Sequence, residues 1–548
     1  MAEHTKVLVI GAGASGIIAA HSLKVRLGVD DFVVVEKTGS VGGTWSEEIN
    51  NYPGCGVDIP SHFYSFSFNP NPAWSHTYCR HDELAAYMNA TVDKFGLRGH
   101  IRLGTEVVSA AWTTKTAAGP HPGFWRVVVR DSAGTHTLDA DIVVSAVGIL
   151  STPKEVALDG LDSFQGRYWH SAAWDTSYDW RGKRVAVVGN GCSATQIIPD
   201  MLADGVGSIT QFGRSTQWYM PREDPPIPKW QQWAYAHVPL YLTLTRFWHY
   251  YKVDAESITL ETSARARPWV EKLAAKGIAH IKATAPPHLA DSLIPDSVVG
   301  CKRRVMDGTN KGSYLAALSN PRLRLVPSRA VRADATGVVA ADGSRADADA
   351  VVFCTGYTPT EYLVPMEIRG VGGKSLREVW AADEGAHAYA TTSVAGFPNF
   401  ALVFGPNSLP SNNSCIFKAE CGVEFIERVL FRPLLVEQSA RVIDVRREAD
   451  VRWTADIRHR LSSMVWSSGC ANWYLNKWGH NSTNFPGSGM AYRRMLVTTT
   501  LADYDVQGTN GWWGVYRALD FVTYWPWAMA LNMLLLLVDA LEKRFPLL

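Results

Sequence analysis

The segment Lys6-Val-Leu-Val-Ile-Gly-Ala-Gly-Ala-Ser-Gly16 joins a short apolar strand to a glycine-rich turn. Its glycines allow a tight turn, a close approach of the backbone to a pyrophosphate, and close packing of the following helix. An apolar helix is expected over residues 17–27, and a second strand over 31–35 ends at Glu36, twenty residues after Gly16. This order of strand, turn, helix, strand and acid predicts a dinucleotide-binding βαβ unit.

Glu36 and the loops after it favour FAD as the dinucleotide of this first unit. A carboxylate at this position accepts hydrogen bonds from a ribose diol and repels a 2′-phosphate. Gly42-Gly-Thr-Trp45 and Tyr52-Pro-Gly-Cys-Gly-Val-Asp58 follow, and a glycine-rich loop with an indole suits contact with a flat ring system. Asp58 is either a functional carboxylate or a turn residue ahead of Ile-Pro-Ser.

A second glycine-rich turn, Gly189-Asn-Gly-Cys-Ser-Ala194, follows the apolar run 184–188. A helix is expected to Met201, and a strand over 208–212 ends near Arg214. Gly11 to Glu36 and Gly189 to Arg214 both span 25 positions, so the acidic position of the first unit is basic in the second. An arginine there can bind a 2′-phosphate, which predicts NADPH; the alternative is an exposed structural arginine.

Two further runs, 141–148 and 349–356, each read acid, apolar segment, glycine, and each is expected to close one sheet. The predicted fold is therefore α/β, with two nested dinucleotide-binding (Rossmann-like) domains, a helical insertion and a hydrophobic C-terminal helical tail. The predicted limits are 1–150 and 361–505 for the FAD-binding domain, 151–223 and 298–360 for the NADPH-binding domain, 224–297 for the insertion and 506–548 for the tail.

Composition excludes several classes of protein. The chain has 548 residues and a formal net charge of +1, so it lacks the basic field of a nucleic-acid-binding protein. Eight cysteines without a CxxC pair predict reduced, buried thiols, with no disulfide framework and no metal cluster. The 21 tryptophans indicate aromatic pockets or an interfacial surface. Helical spacing of aromatic residues over 224–297 predicts core packing, with a substrate wall as the alternative.

The C-terminal region contains an uncharged run of 18 residues, 521–538, near the lower limit for a membrane span. Three interpretations stay open: a helix docked on the protein, a helix lying on a membrane, and a true span, which Pro526 and Asn532 weaken. The first strand begins almost at Met1, so no secretion or transit signal is expected. We therefore expect a protein on the cytoplasmic side, soluble or peripherally bound to a membrane through its C-terminus.

The stretch between the two turns, Phe164-Gln-Gly-Arg-Tyr-Trp-His-Ser-Ala-Ala-Trp-Asp175, decides between related chemistries. With its flanking glycine-rich turns it resembles the class B flavoprotein monooxygenases to about residue 505, and within them the Baeyer–Villiger monooxygenases. Their fingerprint is Phe-x-Gly-x-x-x-His-x-x-x-Trp followed by Pro or Asp. This chain matches it with Phe164, Gly166, His170, Trp174 and Asp175. The sister flavin monooxygenases, which oxidise sulfur or nitrogen, usually lack the final Trp-(Pro/Asp).

The resemblance implies an FAD- and NADPH-dependent monooxygenase acting on a lipophilic ketone and O2. NADPH would reduce FAD, oxygen would add to form a C4a-peroxyflavin, and its attack on the ketone would give an ester or lactone. Such a site must stabilise an anion and exclude water. The alternatives are a flavin monooxygenase acting on sulfur or nitrogen, and a non-catalytic redox sensor that binds both nucleotides. The sequence predicts no oligomeric state and no nucleic-acid partner.

The resemblance also implies roles for individual residues. Arg303, which follows Lys302 as in the family motif, is assigned to catalysis with Asp58, while His170 is assigned to positioning the linker. FAD is expected to contact Gly11, Gly13, Ala14, Ser15, Gly16, Glu36, Lys37, Gly43, Thr44, Trp45, Val57, Asp58, Tyr64 and Val107. NADP is expected to contact Gly189, Asn190, Gly191, Cys192, Ser193, Ala194, Gln196, Arg214, Ser215, Lys302, Arg303 and Trp473.

Two departures from the family pattern affect the predicted substrate wall. Many relatives have Tyr-Pro-Gly-Ala-Arg-Cys-Asp where this chain has Cys55-Gly-Val before Asp58. The loop between Trp45 and Tyr52 is also two residues longer than in those relatives. The alignment of Asp58 survives both changes, whereas the shape of the neighbouring pocket is not predicted.

Overall fold

A computed structural model describes residues 3–114, 123–410 and 412–520. The predicted tail beyond 520, with the uncharged run 521–538, lies outside the described residues. In the described part, residues 512–520 are helical. No helix in these ranges has both the length and the apolar character needed to cross a bilayer.

Within the described residues, twenty strands form the sheets. They are β1 (Glu3–Ile10), β2 (Phe32–Val35), β3 (Ile101–Arg102), β4 (Glu106–Thr114), β5 (Gly123–Asp131), β6 (Gly134–Ser145), β7 (Arg167–His170), β8 (Arg184–Val188), β9 (Ser208–Phe212), β10 (Tyr219–Met220), β11 (Val305–Met306), β12 (Leu323–Val326), β13 (Ala330–Asp334), β14 (Gly337–Ala340), β15 (Arg345–Asp347), β16 (Ala350–Phe353), β17 (Glu367–Arg369), β18 (Phe400–Leu402), β19 (Val442–Val445) and β20 (Tyr504–Gln507).

Besides the helical residues 512–520, twelve α-helices have both ends in the described ranges and pack around these sheets. They are α1 (Ala14–His21), α2 (His81–Lys94), α3 (Cys192–Ala203), α4 (Lys229–His237), α5 (Tyr241–Ala255), α6 (Arg267–Thr284), α7 (Pro287–Ala290), α8 (Tyr314–Ala317), α9 (Leu376–Ala382), α10 (Cys415–Ile426), α11 (Arg447–Leu461) and α12 (Gly489–Thr498). π-Helical segments of 5 and 10 residues extend α1 through Ser22–Arg26 and α10 through Glu427–Val436.

Two large β-sheets form the framework of the fold. The first has the order β17-β4-β5-β6-β1-β2-β3, with β18 also paired to β6, and the second is the five-stranded sheet β12-β9-β8-β16-β7. The strands of the second sheet all lie in the chain between strands of the first, so the predicted nested fold is confirmed. The limits predicted for each domain stay predictions.

The two acid-apolar-glycine runs occupy equivalent places. The run 141–148 contains the end of β6, which pairs in parallel with β1, and 349–356 contains β16, which pairs in parallel with β8. Asp349 accepts hydrogen bonds from the backbone and guanidinium of Arg184 at the start of β8, at 2.8 Å each. Each run therefore packs beside the strand that leads into its own glycine-rich turn.

The aromatic side chains of the insertion were predicted to pack in the core, and several of them do not. Tyr235 is buried, but Trp230, Trp233, Phe247 and Trp248 on α4 and α5 are exposed. The helical spacing was predicted correctly, but periodicity does not show whether a stripe of side chains packs against the rest of the protein or is exposed.

A buried lysine lies in α10 beside the sheet core. Lys418 is 1% exposed, and its Nζ has no hydrogen-bond partner among the described residues. The ring centroids of Phe485 and Tyr492 lie 4.7 and 4.6 Å from Nζ. Burial lowers the pKa of Lys418 from 10.5 to about 7. The folded chain therefore favours the neutral amine.

This lysine makes stability depend on pH. Between about pH 7 and the ordinary lysine pKa the unfolded chain binds a proton that the folded chain does not, so rising pH removes the cost of burying Lys418. We expect Lys418→Met to stabilise the fold by about 1–3 kcal/mol at pH 7 and below, and by less towards pH 10. Denaturant unfolding of variant and parent across that range measures the difference. An equal gain at every pH, or the same pattern in the exposed Lys272→Met, would contradict the assignment.

Candidate active site

A cavity of about 1690 Å³ lies between the two sheets and is lined by both glycine-rich turns. Its volume exceeds the few hundred to about 1,000 Å³ typical of a pocket for one small ligand. The carboxyl ends of β1 and β8 both open into it, so one cavity can hold two nucleotides and a substrate.

The first turn is shaped by backbone contacts that leave no room for side chains. Gly11 has φ +103°, and a Cβ at Gly16 would lie 1.9 Å from the Gly11 carbonyl oxygen. A Cβ at Gly43 would lie 2.9 Å from Gly13 Cα, so two glycine-rich loops meet across the cavity wall. This cradle of bare backbone fits a pyrophosphate.

Glu36 is buried at the end of β2, and the fold holds its carboxylate in place. Oε2 accepts a 2.8 Å hydrogen bond from the Ala12 N–H, and Oε1 accepts from the N–H and hydroxyl of Thr38 at 3.0 Å. Each carboxylate oxygen can accept more than one hydrogen bond, so Glu36 keeps acceptor capacity towards the cavity that it lines. These groups fit an FAD ribose.

The second turn repeats this construction at the end of β8. Gly189 has φ +122°, and a Cβ there would lie 2.4 Å from the Cys354 carbonyl oxygen. The Asn190 side chain donates to the Ser215 carbonyl and ties the turn to the segment after β9. Arg214 is exposed and lines the cavity.

Arg329 was missed by the sequence analysis. It follows β12, which pairs with β9, so Arg214 and Arg329 stand after the carboxyl ends of adjacent parallel strands, and both line the cavity. The signal was an arginine shortly after an apolar strand, but the pairing of that strand with β9 was not predicted. Two guanidinium groups at one sheet edge fit a 2′-phosphate.

The loop that carries Asp58 packs directly on α3 of the second sheet. The Tyr52 hydroxyl donates to Gln196 Oε1, and Gln196 Nε2 donates to the Gly56 carbonyl, both at 3.0 Å. A Cβ at Gly54 would lie 2.3 Å from the Gln196 carbonyl oxygen. Gln196, predicted as a nucleotide contact, therefore also joins the two nucleotide-binding halves.

Arg303 and Asp58 form an ion pair inside the cavity, with Nη2 donating to Oδ2. They are 245 positions apart in the chain, and both line the cavity. The Asp58 carboxylate raises the pKa of Arg303 well above its usual value, against the opposing effect of burial. The guanidinium is therefore a permanent cation.

The cations on either side of Arg303 have different surroundings. Lys302 lines the cavity, whereas Arg304 Nη1 donates to Glu256 Oε2 at 3.1 Å. Glu256 follows α5, so this bond fixes the helical insertion to the loop that carries Arg303.

Aromatic residues border the same region. Trp45 Nε1 donates to the Tyr64 hydroxyl at 3.2 Å, and the two rings meet edge to face with centroids 5.8 Å apart. Trp473 lines the cavity and its ring lies 5.3 Å from that of Tyr474. The predicted aromatic contacts are thus placed in one cavity with the two turns.

The prediction that all cysteines are reduced is wrong for one pair. Cys301 and Cys470 form a disulfide with Cα atoms 6.4 Å apart, across a sequence separation of 169. Spacing along the chain gave no sign of this pair, because only the fold brings the two loops together. The bridge joins the loop of Lys302 and Arg303 to the loop of Trp473.

The number of free thiols tests the disulfide directly. We expect six titratable thiols in the denatured, unreduced protein and eight after reduction. Reduction, or Cys470→Ser, should lower stability by about 2–4 kcal/mol, because a long loop is no longer closed in the unfolded chain. Thiol titration and unfolding with and without a phosphine reductant measure both effects. Eight thiols before reduction would contradict the pairing, and Cys421→Ser, which should change the count but not the response to reductant, is the control.

The fingerprint linker forms an edge of the second sheet. Its residues 167–170 are β7, which pairs in parallel with β16. Arg167 pairs with Asp175 at 2.9 Å, and the Trp169 and Trp174 rings meet edge to face. His170 Nδ1 accepts from the Ala172 N–H at 3.0 Å, and burial lowers its pKa. His170 is not among the residues that line the cavity, which favours a role in positioning the linker over proton transfer.

Most predicted site residues line the cavity. Those that do not are Gly16, Ala194, Phe164, Gly166, His170, Trp174 and Asp175. Besides Arg329, the sequence analysis missed lining residues contributed by segments distant from the turns, namely Asn50, Tyr78, Met220, His249, Tyr357, Leu363, Asn412 and Cys415. The roles predicted for individual site residues stay predictions.

Comparison with known proteins agrees with this geometry. The model of the flavin-binding monooxygenase-like family matches residues 4–225. A Baeyer–Villiger monooxygenase of Streptomyces coelicolor is 38% identical, covering 92% of this chain and 93% of the relative. One of Pseudomonas aeruginosa is 33% identical, covering 91% and 93%.

Solved structures are similar over the same length. An oxidised steroid monooxygenase bound to NADP has a TM-score of 0.76 and 28% identity, and a closed cyclohexanone monooxygenase has a TM-score of 0.78 and 27% identity. Each alignment covers 92% of this chain and 100% of the other.

Proposed function

The chain belongs to the Baeyer–Villiger monooxygenases, FAD- and NADPH-dependent enzymes that convert a ketone and O2 to an ester or lactone, and we propose that it does so on a lipophilic ketone with Arg303 and Asp58 as its catalytic pair. The observation that carries the assignment is the Arg303–Asp58 ion pair in a cavity bordered by both glycine-rich turns.

The two turns would hold the two nucleotides. The bare backbone around Gly11, Gly13 and Gly43 suits the FAD pyrophosphate, while Arg214 and Arg329 suit the NADPH phosphate. FAD held there would take up a hydride from NADPH and, once reduced, would activate O2, so that one oxygen atom enters the ester and the other leaves as water.

Arg303 acts on the substrate oxygen. Adding an oxygen atom to a carbonyl carbon places negative charge on the carbonyl oxygen, and a fixed cation stabilises that charge without reorganising during the reaction. Asp58 orients the guanidinium and compensates its charge when the site is desolvated. Arginine keeps its proton at working pH, so the pair acts by charge and position.

An apolar region of the cavity supports a lipophilic substrate. It includes Leu363, Met366, Phe404, Leu409 and Ile416, the last from α10 and the others from two segments before it. Such walls exclude water, and exclusion of water strengthens the interaction of Arg303 with a developing anion.

Product analysis tests the activity. The FAD-loaded protein should consume NADPH and O2 with a linear, cyclic, aromatic or steroid-like ketone and yield a product one oxygen atom heavier, identified by mass as the ester or lactone. A thioether assayed in parallel tests the alternative of sulfur oxidation. Exclusive sulfoxide formation, or peroxide release with no product, would overturn the proposal.

Membrane contact through residues 521–538 is a separate part of the proposal. Its support is the uncharged run itself, with Trp525 and Trp527 at one end. A truncation for this test should end after Asp520, because Asp520 pairs with the buried Arg428 at 2.6 Å. Full-length protein should sediment with vesicles more than the truncated form; equal sedimentation would contradict a role for the run.

A further inference from the structure

An exposed apolar surface covers α4, α5 and their connection. We call it the aromatic face, and its members are Trp230, Trp233, Val238, Leu240, Leu244, Phe247 and Trp248. Their exposed fractions run from 44% for Val238 to 69% for Leu240. A cluster of this size on a soluble protein usually marks an interaction site.

The aromatic face is a helical stripe and not a frayed edge. Leu240, Leu244, Phe247 and Trp248 follow the spacing that places side chains on one side of a helix. Trp230 and Trp233 on α4 are three positions apart, and α4 packs beside α5. The exposed apolar side chains therefore come from two helices that are in contact.

The opposite side of α5 is fixed to the body of the protein. Arg246 donates to the His62 carbonyl and to Ser65, and the Tyr250 ring packs on Phe417 with centroids 5.2 Å apart. Asp254 is buried and accepts a 2.7 Å hydrogen bond from Asn413. These anchors hold α5 in the orientation that exposes the aromatic face.

The backbone conformation and exposure of Leu240 also indicate that the aromatic face has a function. It connects α4 to α5 with φ +63°, a conformation that is unfavourable for a bulky residue, and it is the most exposed member of the face. Glycine would adopt this turn without strain. A leucine here costs conformational energy while contributing little buried surface to the fold.

The charge of the same segment indicates the partner. Residues 226–253 contain Lys229, Arg246 and Lys252 and no Asp or Glu. Lys229 and Lys252 are exposed, and Lys252 Nζ lies 5.0 Å from the Trp248 ring centroid. Tryptophan and phenylalanine beside lysine, without acids, are the composition of helices that lie on anionic lipid surfaces.

The helix that carries the aromatic face also borders the cavity. His249, Lys252 and Val253 of α5 line it, as does Glu256 just beyond the helix, while Phe247 and Trp248 point outward. Because Lys252 contacts the Trp248 ring and also lines the cavity, the exposed surface and the cavity adjoin along α5.

From these observations we propose that the aromatic face docks on the surface of an anionic lipid bilayer and places the cavity entrance beside α5 at the lipid, so that a lipophilic ketone enters from the bilayer. The route of entry rests on the proposed function, whereas the docking does not. It requires neither residues 521–538 nor a second copy of the chain.

Vesicle binding tests the docking. The FAD-loaded protein, full-length and truncated after Asp520, is mixed with vesicles of phosphatidylcholine with or without phosphatidylglycerol, and sedimentation is measured. We expect the truncated form to bind the anionic vesicles, and Trp230→Ser with Trp233→Ser and Phe247→Ser to weaken that binding by about tenfold or more. Leu240→Gly should weaken it while keeping or raising the melting temperature, since glycine relieves the turn.

The matched control is Trp478→Ser, which removes an exposed tryptophan outside α4 and α5 and should leave vesicle binding unchanged. Equal vesicle binding by the parent and the aromatic-face variants would overturn the proposal. So would a parent dimer that the same substitutions dissociate without changing vesicle binding, or loss of anionic-vesicle binding on truncation alone, since the tail would then be the lipid contact.

Activity separates this proposal from the proposed function. The variants should convert a water-soluble ketone in vesicle-free buffer at the parent rate, and lose about tenfold only with a long-chain ketone supplied in vesicles. Absence of ester from every ketone with the parent would refute the proposed function while the vesicle result still stands. Unchanged conversion of the vesicle-borne ketone by the variants would refute the entry route.

Discussion

Arg303→Ala is expected to abolish ester formation, lowering it by about 10³-fold or more, while NADPH still reduces the bound FAD. Removing one fixed stabiliser of a developing oxyanion commonly costs about 10²–10³-fold, and here the substitution also leaves the Asp58 carboxylate without its cationic partner. Anaerobic stopped-flow measurement of flavin reduction, followed by product mass after aeration, reports the two steps separately.

The two partners of the ion pair provide the matched variants. Arg303→Lys keeps a charge but loses the planar fork of donors, so we expect partial activity at best. Asp58→Asn should retain the cation with a less defined orientation and lose less ester than Arg303→Ala. Ester yield at the parent level from Arg303→Ala would refute the catalytic role, and loss of flavin reduction alone would reassign Arg303 to nucleotide binding.

Gly16→Ala is expected to prevent stable FAD binding with the addition of one methyl group. The new Cβ would lie 1.9 Å from the Gly11 carbonyl oxygen, where ordinary contact begins near 3.4 Å, so the first turn must open. Opening it displaces the backbone amides that face a pyrophosphate. We expect FAD affinity to fall by about 100-fold or more, with a loss of about 3 kcal/mol in stability. Flavin absorbance of the purified protein and thermal unfolding measure both.

Gly99→Ala is the matched control for this prediction. Gly99 lies in the turn Arg98–His100, where a Cβ would meet no atom within 4 Å. Its variant should keep the FAD content of the parent. A fully flavin-loaded Gly16→Ala protein would show that the turn tolerates a side chain and would remove the basis for placing FAD there.

Several features of the fold and the site could be predicted from the sequence because short segments of chain determine them. The positive φ angles at Gly11 and Gly189 are local requirements of a strand-to-helix turn, so glycine spacing indicated both turns. Glu36 and Arg214 each follow the second strand of their unit, and their signs separated FAD from NADPH before any tertiary contact was known. The comparisons with relatives support the same cofactors.

Other features depend on segments that meet only after folding. The Cys301–Cys470 disulfide joins positions 169 apart, and no spacing rule predicts such a pair. Arg329 becomes a neighbour of Arg214 because β12 pairs with β9. Periodicity identified the aromatic stripe of α5, but its exposure follows from Arg246 and Asp254, which fix the other side of the helix.

The sequence by itself determined the nested order of the two nucleotide-binding units and their cofactors, because turn geometry and the charge that follows a strand are local properties of the chain. It indicated the class of reaction through the resemblance of residues 164–175 to a family fingerprint. Only the tertiary structure decided that the strand before Arg329 pairs with the strand before Arg214, that two loops of the site are joined by a disulfide, and that an aromatic helix faces outward beside the cavity. Those arrangements depend on distances between remote segments, and such distances are set by how the sheets and the insertion pack.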